Sequence, residues 1–412
     1  MIVTKGRSGL KAILTADIRS RFEEKEPPKF LDQSAAVSVR NFHLSLSTYK
    51  PTPLVNLSAL AKELGIANIY VKDESTRFSL NAFKVLGSSY AMGKFICEQL
   101  GLDESKVTFD YLQSNEVRQR LGEVTFVTAT DGNHGRGVAW AAQHLGQKAV
   151  VYLPKGAAFQ RVEAIRETGA TAIVTDVNYD DTVRLARKDA EKNGWYLIQD
   201  TAWDGYEDIP RWIMQGYTTM ALEAKEQWEN LRLPSPTHVF LQAGVGSFAS
   251  SILGYYVNCY RNRYPKSIVM EPEKAACIFE SALAGKKSPQ RVVGDLDTIM
   301  AGLSCGEPSP IAWEILRNFA DGYVVCPDYV AARGIRILAN PLGNDHRVIA
   351  GESGAVGIGL LSLLLQNENC SELRAQLGLD ENSTVLFFNT EGDTDPVSYR
   401  QIVWDGRYPL PK

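Results

Sequence analysis

Val124-Thr125-Phe126-Val127-Thr128-Ala129-Thr130-Asp131-Gly132-Asn133-His134-Gly135 decides the fold of this chain. Its first half is an unbroken apolar, β-branched run, the composition of a strand buried on both faces. Its second half is a polar turn. A helical pattern follows over 138–145 and stops at Gly146. The alternation then repeats: strand over 149–153, helix over 162–168, strand over 172–175, charged helix over 179–193, strand over 195–199. Strands without polar alternation, joined by crossover helices, predict an open parallel α/β sheet.

Towards the N-terminus, residues 1–50 show little periodicity and read as an irregular arm with short helices near 8–14 and 35–38. Pro51 and Pro53 make 48–54 an extended lead-in. A helix over 57–64 and a strand over 68–74 lead to Ser79-Leu80-Asn81-Ala82-Phe83-Lys84-Val85. Val85, Ser89, Met92, Ile96 and Leu100 then recur at three- and four-residue steps, which predicts a helix with an inward face and Lys84 at its start. A lysine there is either a solvated surface group or an amine held against apolar neighbours. In the second case its pKa falls and it becomes a nucleophile.

Towards the C-terminus a second α/β block is predicted. It has a long helix over 213–230, strands at 238–242, 267–271, 323–326 and 384–388, and helices at 248–260, 328–340 and 352–365. No internal repeat or low-complexity linker separates the blocks.

Bulk properties narrow the function. The 412 residues suffice for two or more domains. A formal net charge of -4 and the lack of a basic run argue against a nucleic-acid or anionic-membrane partner. No apolar stretch reaches the ~18–20 residues that span a bilayer, and residues 1–6 lack a signal-peptide apolar core. Six scattered cysteines, without metal-site spacing, suit a reducing cytoplasm.

Two turns carry chemistry. Ala243-Gly244-Val245-Gly246-Ser247 lies between a strand and a helix, where backbone N–H groups and the helix dipole favour a phosphate. The bland alternative is a tight turn; a complete dinucleotide fingerprint is missing because Ala249 and Ser250 follow. In Asp131-Gly132-Asn133, Asn133 is a donor to an oxygen of a bound ring, and a desolvated Asp131 is a candidate general base. The alternative is an Asx turn or helix N-cap.

Taken in order, Asn81-Ala82-Phe83-Lys84, Gly132-Asn133-His134, the glycine loop at 243–247 and the polar strand end at 389–393 resemble the fold-type-II pyridoxal-phosphate enzymes. This is the superfamily of the tryptophan synthase β-subunit and the serine/threonine dehydratases. Within it the chain most resembles the diaminopropionate ammonia-lyase branch, through Thr130-Asp131-Gly132-Asn133-His134-Gly135-Arg136-Gly137-Val138-Ala139-Trp140, Val151-Tyr152-Leu153-Pro154, Gln199-Asp200-Thr201-Ala202-Trp203, Ile213-Met214-Gln215-Gly216-Tyr217 and Asn389-Thr390-Glu391-Gly392-Asp393. The likeness runs from roughly residue 40 to 405.

The resemblance implies two open, twisted, mostly parallel sheets flanked by helices, with the active site between a larger domain (1–85 plus 203–412) and a smaller one (86–202). It implies a cytoplasmic homodimer that uses pyridoxal 5'-phosphate to eliminate ammonia from small amino acids. Lys84 would bind the cofactor aldehyde, Asn133 its ring oxygen, Gly244, Val245, Gly246 and Ser247 its phosphate, and Thr390 the pyridine nitrogen. A hydroxyl at that nitrogen makes a weak electron sink, which suits β-elimination. Asp131 stands where dehydratases carry a serine or small residue. It would supply a second proton-transfer group across the cofactor from Lys84, so that Lys84 serves L-2,3-diaminopropionate and Asp131 the D-isomer. Asp131 or Asp200 would hold the substrate β-ammonium, with a strand-end cap as the alternative for Asp200. The rival activity is serine/threonine dehydration. By the same likeness Glu352 lies near the cofactor ring or caps its helix, and Cys277 and Cys305 are either two thiols or a disulfide near the site entrance. His134 reads as a turn residue, and Trp203, Trp212 and Tyr217 as core.

Overall fold

A computed structural model describes residues 2–5, 9–15, 24–104 and 107–411. Two sheets organise it. The larger has eight strands in the order Ile2–Lys5, Lys11–Leu14, Gly322–Cys326, Lys266–Pro272, His238–Gln242, Thr384–Asn389, Asn68–Asp73, Leu54–Asn56. Its centre is parallel; the pairings at both margins are antiparallel. The smaller has four parallel strands, Thr171–Val174, Lys148–Leu153, Thr125–Ala129 and Tyr196–Leu197. All four lie between residues 125 and 197. The central strands 238–242 and 384–389 are buried at every position, which explains their continuous apolar sequence.

The N-terminal arm departs from expectation. Lys11–Leu14 is a strand, paired antiparallel to Gly322–Cys326, and Gln33–Leu44 is one continuous helix. The first is a four-residue element whose only signal is a place at a sheet edge supplied 300 residues later. Residue 8, the start of the expected short helix near 8–14, lies outside the described residues. The strand expected over 195–199 shrinks to Tyr196–Leu197, because Gln199 replaces backbone pairing with its side chain. Its amide oxygen accepts from Ala129 N–H at 2.9 Å, and its Nε2 donates to Ala129 O at 3.1 Å.

Helix packing places Lys84. The helix Val85–Leu100 crosses the 23-residue helix Asp208–Asn230 at glycines on both sides. A Cβ on Gly216 would sit 2.4 Å from Leu86 O, and one on Gly87 would sit 2.6 Å from the Tyr217 ring. Only hydrogen at both positions lets the two backbones approach so closely. Before Lys84 the chain turns sharply, with Phe78, Ser79 and Asn81 at φ of 49°, 59° and 58°, a conformation that non-glycine residues rarely adopt. Tertiary contacts hold it there: Gly392 N–H donates to Asn81 O, Phe83 N–H to Thr390 O and Arg136 to Leu80 O.

Candidate active site

Four parallel strands, 125–129 and 196–197 of the small sheet and 238–242 and 384–389 of the large one, lead at their C-terminal ends to one cavity, the usual ligand position in open α/β sheets. Lys84, Asp131, Asn133, Asp200, Gly244, Val245, Gly246, Ser247 and Thr390 all line it. Every residue singled out as a site residue from the sequence is therefore brought to one place, from segments more than 300 residues apart.

Lys84 Nζ donates to Asp200 Oδ2 at 2.7 Å. Burial works against its charge, but Asp200 foremost, then Tyr217 and Asp131, outweigh burial, so its pKa stands above the ordinary lysine value. The expectation of a lowered pKa is corrected: the lysine is part-buried, and it sits against a carboxylate. Burial likewise opposes the Asp200 charge, yet Lys84, His134 and Tyr179 bring its pKa down to about 2. Asp200 also holds the phosphate loop, since Ser247 Oγ donates to its backbone oxygen at 2.6 Å. It lies three residues beyond the strand Tyr196–Leu197 and lines the cavity.

Asp131 is not a capping residue. Gly132 is the N-cap of the helix Asn133–His144 and receives no side-chain capping bond. The turn is closed by Thr130, whose Oγ1 accepts from Gly132 N–H at 2.9 Å. Asp131 Oδ2 is buried without a hydrogen-bond partner, as is Ser353 Oγ. A Cβ on Gly302 would lie 3.2 Å from the first and 3.1 Å from the second, so both face the same spot. Burial raises the Asp131 pKa, against Lys84 and Arg161, which lower it.

The residues fit the phosphate and ring of pyridoxal phosphate. Gly246 has φ +95°, and a Cβ there would meet Ile278 at 3.0 Å; one on Gly244 would meet Cys305 Sγ at 3.0 Å. Among the described residues the N–H groups of Gly244, Val245 and Gly246 donate to no protein acceptor. Together with the start of the helix Ser247–Tyr260 they form an anion cradle. Thr390 Oγ1 accepts from Gln242 Nε2 at 2.9 Å, which leaves its own proton for a ring nitrogen. Asn133 Nδ2 donates to Glu391 Oε2 at 2.6 Å.

Several other residues fall differently from expectation. Tyr217 is buried, as expected of core, but it lines the cavity. Trp203 and Trp212 are only half-buried and stand beside Arg187 and Lys94. Glu352 opens its helix, accepts from Ser398 Oγ, and lines an outer cleft next to the cavity. Cys277 and Cys305 are both buried free thiols. His134 is a supporting residue whose Nε2 donates to Ile198 O at 2.7 Å. Glu391, Ser353 and Tyr217 went unread as site residues. Glu391 had a signal, its place beside Thr390 in a polar strand end. Tyr217 ends the quoted motif Ile213–Tyr217 but reads as core, and Ser353 opens an apolar helix that carries no such signal.

The pyridoxal-phosphate dependent enzyme family model matches residues 46–391. The diaminopropionate ammonia-lyase of Escherichia coli K12 is 51% identical over 389 residues, covering 94% of this chain and 96% of that protein. Among solved structures, diaminopropionate ammonia lyase from Escherichia coli in complex with D-serine superposes with a TM-score of 0.90 at 48% identity, covering 98% of this chain and 99% of that one. The same enzyme in complex with an aminoacrylate-PLP azomethine reaction intermediate gives a TM-score of 0.88 at 47% identity, with both chains fully covered.

Proposed function

From the premise that this chain belongs to the pyridoxal-phosphate-dependent enzymes and within them to the diaminopropionate ammonia-lyases, we infer how its residues divide the work. It is a carbon–nitrogen lyase that eliminates ammonia from 2,3-diaminopropionate through aminoacrylate, which hydrolyses to pyruvate and a second ammonia. When bound, pyridoxal phosphate supplies the electron sink that makes the substrate Cα–H acidic.

The protein supplies the rest. Gly244 to Ser247 would hold the phosphate, Thr390 would donate to the ring nitrogen, and Lys84 would be the amine that carries the cofactor aldehyde. Freed Lys84 takes the Cα proton of the L-isomer, and Asp131 takes that of the D-isomer. Asp200 holds the β-nitrogen as its ammonium, which takes the C–N electron pair and leaves as neutral ammonia with no further proton; Asp200 already binds an ammonium, that of Lys84, at 2.7 Å. One charge-assisted hydrogen bond to that group contributes ~1.5–3 kcal/mol, roughly 10–100-fold selection against serine or threonine, which lack it.

The observation that carries this reading is the convergence of Lys84 with the carboxylates of Asp131 and Asp200 on one cavity. Pyruvate release from D- and L-diaminopropionate, measured beside D- and L-serine, tests it. Faster turnover of serine would assign the chain to dehydration instead. The remaining parts of the reading are a homodimer in the cytoplasm and a division into 1–85 plus 203–412 and 86–202. Reduced buried cysteines agree with that compartment, and the confinement of the small sheet to 125–197 with that division. No described helix is long and apolar enough to cross a membrane.

A further inference from the structure

Asp200 is held by a side chain that does not reach the cavity. Gln199 is fully buried and is not among the residues that line the cavity. Backbone groups orient its amide. Ala129 N–H can only donate, and does so to Oε1 at 2.9 Å; Ala129 O can only accept, and takes one Nε2 hydrogen at 3.1 Å. Thr128 Oγ1 donates to Oε1 as well, at 3.1 Å. The amide is therefore fixed one way round. Its other Nε2 hydrogen is shared between Tyr179 Oη at 3.0 Å and Asp200 Oδ1 at 3.3 Å. A phenol that accepts from Gln199 has its own proton to give, and Tyr179 donates it to Asp200 Oδ1 at 3.3 Å.

The two oxygens of Asp200 thus have different surroundings. Oδ1 receives two neutral donors, Tyr179 and Gln199. Oδ2 receives Lys84 Nζ at 2.7 Å and faces His134 Nδ1 at 3.9 Å. That nitrogen has no proton to offer. Nε2 carries the ring hydrogen, since it donates to Ile198 O, and burial lowers the His134 pKa and keeps the ring neutral. Oδ2 is accordingly left for a cation. A carboxylate turns easily about its Cβ–Cγ bond. The bonds at Oδ1 hold this one against the strand Thr125–Ala129, which leads to Asp131.

We propose that Gln199 is a positioning residue for the reaction: through Tyr179 it fixes the Asp200 carboxylate with Oδ2 towards the substrate β-ammonium. The proposal rests on the diaminopropionate reading above, in which that ammonium takes the place of Lys84 Nζ at Oδ2. Gln199 itself meets no substrate atom. It acts on the geometry of Asp200, so a ligand without a β-ammonium is indifferent to it.

The test uses the holoenzyme of the wild type, Asp200→Asn, Gln199→Met, Tyr179→Phe and the variant that combines the last two. KM for L-2,3-diaminopropionate is measured beside the Kd of L-alanine, which has no β-ammonium, followed by the change in cofactor absorbance. Asp200→Asn is expected to raise KM for the diamine and to leave alanine binding as it was. Equal shifts in that variant, or a wild type that leaves diaminopropionate untouched, overturn the substrate reading instead. With that reading intact, Gln199→Met is expected to raise KM for the diamine about tenfold and Tyr179→Phe about threefold, with alanine binding held within about twofold in both. The combined variant is no worse than Gln199→Met, because the two residues act in series. An unchanged diamine KM in Gln199→Met overturns the proposal. So does equal weakening of diamine and alanine, which is the result of a purely structural role. Fully additive losses in the combined variant overturn the route through Tyr179. Tyr179→Phe leaves the bonds between Gln199 and Ala129 in place, so it decides even if Gln199→Met does not fold: an unchanged diamine KM, or a shift shared with alanine, overturns the proposal there too.

Discussion

At the scale of the residue, the site turns on a part-buried lysine paired with a buried counter-ion. Asp200 at 2.7 Å keeps Lys84 protonated before the cofactor arrives. An amine must be neutral to attack an aldehyde, so Asp200 sets the pH at which the cofactor is taken up. Removing its charge leaves burial as the dominant influence, and burial lowers a lysine pKa. In Asp200→Asn, the rate of covalent cofactor uptake, followed by absorbance, is therefore expected to reach its plateau at lower pH than in the wild type; an unchanged profile would show that Asp200 does not control Lys84. Lys84→Ala is expected to abolish the visible absorbance band of the bound cofactor together with turnover of both isomers. Asp131→Asn should slow the D-isomer by about a hundredfold or more while the L-isomer falls far less. Equal loss on both isomers would refute separate bases. Lys84 and Asp131 were legible because each sits in a short polar turn between a strand and a helix, or at a helix start. The direction of the lysine pKa was not, because Asp200 lies 116 residues away.

At the scale of the element, two close approaches do most of the positioning. The Gly87–Gly216 crossing sets the depth of the helix that begins after Lys84. The loop at 243–247 has room for backbone alone, as the 3.0 Å contacts of an added Cβ at Gly244 and Gly246 show. Gly246→Val combines that clash with a left-handed φ and should weaken pyridoxal-phosphate binding by about tenfold or more, measured by equilibrium dialysis of the apoenzyme. A Val variant that binds as tightly as wild type would mean that the cofactor phosphate lies elsewhere. Elements with their own signal were readable. The charged helix ending at Gly194 was read with its observed bounds, Tyr179–Asn193, because a left-handed glycine cap follows it. Lys11–Leu14 was not, since a four-residue strand shows no periodicity apart from its partners.

At the scale of the whole molecule, a buried ionic cluster ties the start of the large sheet to the long helix. Glu223 accepts from Lys72 at 2.6 Å and from Arg77 at 2.8 Å, all three almost wholly buried. Glu223→Ala leaves two buried cations without this partner and should cost about 3–5 kcal/mol, read from urea unfolding. Burial raises the Glu223 pKa, but Arg77 and Lys72 bring it from 4.5 down to about 2. A carboxylate depressed on folding contributes stability that is complete above its unfolded value of 4.5 and is lost as pH falls through about 2. The wild type should therefore lose stability across that window more steeply than Glu223→Gln, in which the titrating group is absent. The sequence by itself determined the α/β class, the order along the chain of the central strands and helices and, through its resemblance to a known family, the cofactor. Those follow from local periodicity and from motifs confined to a few consecutive residues. Tertiary structure alone decided that Asp200 pairs with Lys84, that Tyr217 and Ser353 face the cavity and that Asp131 Oδ2 is left without a hydrogen-bond partner. Each of these depends on which distant segment fills the space around a side chain, and burial and charge at a point are sums over those neighbours.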